Sequence, residues 1–155
     1  MTIEYAVLPH LVGTALLGTG TGTDAEGPEP SDDPYASPAP LRNVMHKNGT
    51  ITAELSVTRD LCLGHFKDQP KLPVAVLATA MTALLDDFIG RHDPQSRWVP
   101  GPLQLSARGL ASAGQTVTLA SSVGLGGPAA RPYQCKALVG EETVASVDIT
   151  PVLVP

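Results

Sequence analysis

Residues 50–57 alternate strictly, with Ile51, Ala53, Leu55 and Val57 on one side of an extended chain and Thr52, Glu54 and Ser56 on the other. A period of two predicts a half-buried antiparallel strand. The dipeptide Asn48-Gly49 precedes it and suits a tight two-residue turn, so residues 41–46 and 50–57 are expected to form a hairpin. Residues 72–89 follow another rule. Val74, Ala75, Val76, Leu77, Ala78, Ala80, Met81, Ala83, Leu84, Leu85, Phe88 and Ile89 would cover nearly every side of a helix. Thr79, Thr82 and Asp86 leave only a narrow polar stripe at spacings of three and four residues. Pro73 suits the first helical turn and Gly90 the stop. Such a helix is expected to be buried on most sides.

Strand patterns return at residues 103–110, 115–123, 133–139 and 143–154. Gly114, Gly126-Gly127-Pro128 and Gly140-Glu141 punctuate them. One apolar helix followed by an antiparallel meander predicts an α+β architecture whose sheet wraps the helix. A chain of 155 residues suits a single domain over residues 1–155. Residues 18–40 interrupt it with five prolines, four glycines and five acidic side chains. That composition buries too little apolar surface to offset ordering entropy, and a mobile insertion is expected there.

The net charge of −5 argues against nucleic acid as a partner, because phosphate binding needs concentrated Lys and Arg. No apolar run approaches a membrane span, and the N-terminus carries no basic residue ahead of its short apolar stretch. Cys62 and Cys135 have neither metal-ligand nor redox-pair spacing, so buried reduced thiols and a cytoplasmic location are expected.

The run Leu63-Gly64-His65-Phe66-Lys67-Asp68-Gln69-Pro70-Lys71-Leu72-Pro73 resembles the signature of the β-hydroxyacyl-acyl-carrier-protein dehydratases, which place Gly-His-Phe-Pro ahead of a Pro-Gly that opens the central helix. Residues 48–60, 108–118 and 133–149 are similar to the neighbouring segments of that family, and Leu8-Pro9-His10 to its N-terminal Leu-Pro-His. The resemblance implies the hotdog fold, an antiparallel sheet wrapped around one long helix. It also implies a dehydratase or hydratase acting on β-hydroxyacyl thioesters in fatty-acid or polyketide biosynthesis.

Dehydration removes a proton from C2 and expels hydroxide from C3, so it wants a base, a donor for the thioester oxygen and an acid. By resemblance His65 is the base, suited by an imidazole pKa near neutrality. The backbone N–H of Val74, after Pro73, is implied as the donor, with Gly64 and Phe66 also lining the substrate site. Where the family has a helix Glu or Asp reaching across a dimer interface, this chain has Thr79, whose proton is held too tightly for a strong acid. Asp86 lies seven residues on, roughly 10 Å along the axis; it and Asp87 are expected to be solvated, and His10, His46 and His92 to be surface histidines.

The substitution at Thr79 leaves four readings open. The chain is a dehydratase with an altered acid, or a subunit of a heterodimer whose partner supplies the carboxylate. Otherwise it is an acyl thioesterase, or an inactive scaffold with Val74 and Met81 filling the acyl path. No metal or redox cofactor is implied. The expected partners are an acyl carrier protein or coenzyme A thioester, with Lys67, Lys71, Arg91, Arg97 and Arg108 as candidate contacts, and a second hotdog chain.

Overall fold

The computed structural model describes residues 2–5, 39–63, 69–92, 97–99, 101–124 and 131–154. The expected insertion at residues 18–40 lies outside them, apart from Ala39 and Pro40. In chain order the elements are β1 (Thr2–Tyr5), β2 (Leu41–Lys47), β3 (Thr50–Ser56), α1 (Val74–His92), β4 (Arg97–Val99), β5 (Leu103–Ala107), β6 (Thr116–Val123), β7 (Tyr133–Val139), β8 (Glu142–Ile149) and β9 (Val152–Val154). A single 3-10 turn, Asp60–Cys62, lies between β3 and α1.

Seven strands form one sheet in the order β1-β5-β8-β7-β6-β3-β2, antiparallel at every step. The long helix α1 packs against β3, β6, β7 and β8. This is the hotdog fold.

Alternation along each strand sends one set of side chains to the helix. Cross-strand register aligns Ile51, Ser121, Cys135, Val147 and Leu105 in one row, and Ala53, Leu119, Ala137 and Ala145 in the next. All nine are buried. The small side chains in the second row leave room for the larger ones of α1, where Val76, Leu77, Met81, Leu84, Leu85, Phe88 and Ile89 are buried. Each fully buried Leu, Ile or Met contributes about 1.5–3 kcal/mol from the area it removes from water. The Phe88 and Tyr133 rings meet edge to face at a centroid distance of 6.0 Å.

The hairpin forms as expected. Asn48 and Gly49 both take positive φ, 51° and 73°, which a tight turn of this hand demands. Strand β2 carries a bulge between Arg42 and Met45, where Asn43 also has positive φ.

Three expectations need correction. First, the helix is not covered on most sides. Ala75, Thr79 and Gly90 are exposed, and Val74, Ala78, Thr82, Ala83, Asp86 and Asp87 are partly so. Alanine gave no sign of facing outward, because it tolerates either environment. Second, Gly90 does not end the helix, which continues to His92. A helical glycine costs about 1 kcal/mol relative to alanine, too little to stop a helix anchored by its neighbours Phe88 and Ile89. Pro73 stands just ahead of the helix, and its carbonyl accepts the first intrahelical bond from Leu77 N–H at 3.1 Å.

Third, residues 143–154 are two strands. The chain bends at Thr150 and Pro151, and β9 pairs with β4 in a separate two-stranded sheet. At that bend a side-chain carbon on Gly101 would collide with the Thr150 carbonyl, so only glycine fits. Neither β1 nor β4 was expected from the sequence. Both thiols are free and buried as expected, and burial pushes Cys135 up to about 12. No helix among the described residues is long and apolar enough to cross a membrane.

Candidate active site at the amino end of the helix

The amino end of α1 is built by two chain segments locked to each other. Leu72 N–H donates to the Ala111 carbonyl at 2.8 Å, and Ala113 N–H to the Pro70 carbonyl at 3.0 Å. Lys71 and Ser112 form a β-bridge between those bonds. The segment around residue 113 is held in turn to the end of β3, since Gly114 N–H donates to Val57 O and Val57 N–H to Gln115 O. Leu72 is fully buried and Pro73 is buried, so the start of the helix is fixed from below.

This anchoring presents three backbone donors. Leu77 N–H makes the first intrahelical bond, so those of Val74, Ala75 and Val76 precede the ladder. None of the three has a hydrogen-bond partner among the described residues. Together with the positive end of the helix dipole they can hold a carbonyl oxygen as it gains negative charge. Val74 itself is only partly buried.

Thr79 sits on the exposed face of the helix, a turn beyond these donors. Its hydroxyl donates to the Ala75 carbonyl at 3.0 Å. The proton is therefore committed to the backbone, and what Thr79 offers to solvent is lone pairs. Thr82 behaves likewise, donating to the carbonyls of Ala78 and Thr79 at 3.0 Å each. The stripe read as polar is therefore largely self-satisfied. Gly64, His65 and Phe66, expected beside this helix start, lie outside the described residues, as does Lys67.

The lysine beside the site was named from sequence, but its partner was not. Lys71 Nζ donates to Ser112 Oγ at 2.9 Å in a partly buried setting, and Ser112 N–H donates to Gln115 Oε1 at 2.7 Å. Forty-one residues separate the pair, so no local pattern could have revealed it.

At the other end of α1 the acids are not simply solvated. Asp87 accepts from Arg91 Nε at 2.8 Å and lies 3.6 Å from His46 Nε2 on β2. The expectation for His46 missed this because the hairpin register, not sequence proximity, delivers the ring. Asp86 is held above the usual carboxylate range, mainly by burial and secondarily by the Asp87 charge. A depression of about 610 Å³ lies on the β2–β3 hairpin, lined by Met45, His46, Lys47, Asn48, Thr50 and Thr52. Its lining offers no nucleophile–base pair. Among the described residues no cluster of three or more His, Cys, Asp or Glu could hold a metal.

No protein-family model matches the chain, and no curated protein matches it significantly. Solved structures do. PaaI of the E. coli phenylacetic acid degradation operon aligns with a TM-score of 0.60 at 16% identity, over 73% of this chain and 79% of that one. A variant of the Thermus thermophilus PaaI protein aligns at 0.61 and 15%, over 77% and 97%. Zebrafish thioesterase superfamily member 2 aligns at 0.58 and 14%, over 69% and 77%. At these identities the likeness is one of fold. It supports the hotdog architecture and not the dehydratase family in particular.

Proposed function

We propose that this chain processes acyl thioesters at the amino end of α1, and that its reaction is hydrolysis rather than dehydration. The observation that carries the choice is the Thr79 hydroxyl, whose proton is donated to the Ala75 carbonyl. Expelling hydroxide from a β-hydroxyacyl group needs an acid, and Thr79 cannot serve as one. Expelling a thiolate needs far less help, because a thiol has a pKa near 8.5 against 15.7 for water. The similar folds named as thioesterase superfamily and PaaI proteins support the same direction.

In this reading His65 accepts a proton from a water as its oxygen attacks the thioester carbon. The carbonyl oxygen takes the negative charge and is held by the N–H of Val74, with Gly64, Phe66 and Pro73 shaping the substrate path. The intermediate then collapses, the carbon–sulfur bond breaks, and the imidazolium returns its proton to the departing thiolate. Thr79 accepts a hydrogen bond from water and orients it. The products are a free acid and a free thiol.

The open helix face supports an assembly in which a second hotdog chain, identical or not, covers it. Ala75, Ala78, Thr79, Thr82 and Ala83 keep that face shallow. Dehydration remains the second reading, supported by the residues Gly64-His65-Phe66 and Pro73.

The test is to incubate the protein with a saturated acyl-CoA and with a β-hydroxyacyl-CoA, and to follow the products by mass. Free acid and thiol from both substrates supports hydrolysis. Loss of water from the β-hydroxy substrate, with the thioester intact, would replace it by dehydration.

A further inference from the structure

We propose that Lys71, held by Ser112, is a binding site for the phosphate of the thioester's carrier. This rests on the proposed function for the identity of the ligand, and on independent geometry for the site itself. Lys71 is partly buried, and its ammonium donates to Ser112 Oγ at 2.9 Å. Among the described residues no carboxylate lies within ion-pair distance of it. An ammonium has three donors and Ser112 takes one of them, which leaves donors for an incoming anion.

The backbone on both sides of Lys71 is fixed. Pro70 and Leu72 each hydrogen-bond to the segment that carries Ser112, and the Lys71–Ser112 bridge closes between them. A lysine stem normally loses considerable rotamer freedom when it binds, and here part of that loss is already incurred in the free protein. Ser112 accepts from the ammonium and keeps its own hydroxyl proton, so the pair presents two donors to one oxyanion. Phosphate oxygens suit them better than a carbonyl, because charge-assisted bonds are the stronger kind.

The position fits one molecule spanning both sites. Val74 lies three positions after Lys71, so their backbones are at most about 10 Å apart. The Lys71 ammonium is turned to Ser112 of the neighbouring segment. That separation is near enough for an anionic group further along the same carrier arm. The remaining net charge of the protein is negative, so phosphate attraction must be local rather than a property of the whole surface.

The test is direct titration of the intact protein with coenzyme A, 4′-phosphopantetheine and unphosphorylated pantetheine, with no turnover required. Phosphopantetheine is expected to bind at least about tenfold more tightly than pantetheine, the scale of one charged hydrogen bond. In Lys71→Gln that preference is expected to vanish, in Lys71→Arg to survive in part, and in Ser112→Ala to fall about threefold, the scale of a lost neutral bond. Unchanged melting temperatures would show the variants are folded. A coenzyme A preference that phosphopantetheine does not share would move the contact to the nucleotide and overturn the proposal, as would equal binding of all three ligands. Phosphate-dependent binding without thioester cleavage would leave this inference standing and sink the proposed reaction. Cleavage indifferent to phosphate would do the reverse.

Discussion

The two ends of α1 handle charge in opposite ways. At the carboxyl end, Asp87 is shared between His46 and Arg91, and Asp86 sits beside it. Acids at the negative end of a helix dipole are unfavourable, and the Arg91 guanidinium offsets that cost. At the amino end, among the described residues, Lys71 has only a hydroxyl for company and three backbone N–H groups are left without partners. One end closes its electrostatics internally and serves architecture. Among the described residues the other leaves them open, as the proposed site for an incoming anion or carbonyl requires.

The core joins the two ends, and disturbing it should affect both. Leu85→Ala removes a fully buried side chain from the middle of the helix packing. A loss of about 2–5 kcal/mol is expected in chemical denaturation. A value under about 1 kcal/mol, the cost of a surface change, would mean the helix is held by something other than this core.

Beneath the helix lies a smaller defect. Ser121 is wholly buried, and among the described residues its hydroxyl has only the weakly bonding Cys135 thiol opposite it on β7. Ser121→Ala should therefore stabilise the fold by about 1 kcal/mol, since a poorly satisfied buried polar group is removed with little change of volume. Destabilisation on that scale would show that the hydroxyl is well bonded after all.

The carboxyl end makes the subtlest prediction. In the folded protein Asp86 is raised above its ordinary 3.8, chiefly by burial. The folded state therefore holds this proton more tightly than the unfolded state, and as pH rises from 3.8 through the folded value, stability falls. Asp86→Asn is expected to remove that part of the slope and to leave the protein slightly more stable at neutral pH. Urea midpoints across the acid range would show it. A variant with an unaltered slope would mean Asp86 titrates normally, and the contrast between the helix ends would lose one of its supports.

Much of this architecture is legible in the chain. Alternation at residues 51–57 and the Asn48-Gly49 turn specify the first hairpin, and the apolar run from Val74 specifies the helix. What escaped reading was whatever depends on distant partners. Strand β1 is four residues long and exists as an edge paired with β5, while β4 needs β9, which is separated from it by more than half the sheet. The helix face turned to solvent is rich in alanine, and alanine carries no signal of direction. The apolar pattern put Val74 and Thr79 on the helix, where they lie, while Pro73 stands just ahead of it. The Thr79 bond to Ala75 and the Lys71–Ser112 contact follow from rotamer and tertiary path, which no spacing encodes.

The central claim is that a thioester is cleaved at the amino end of this helix with His65 as base. Thiol release from an acyl-CoA, measured for the unaltered protein and for His65→Ala at equal folded concentration, tests it most directly. The expected result is steady release that falls by about 10²–10⁴-fold in the variant, the usual contribution of a positioned base. Release at the same rate by both proteins would contradict it.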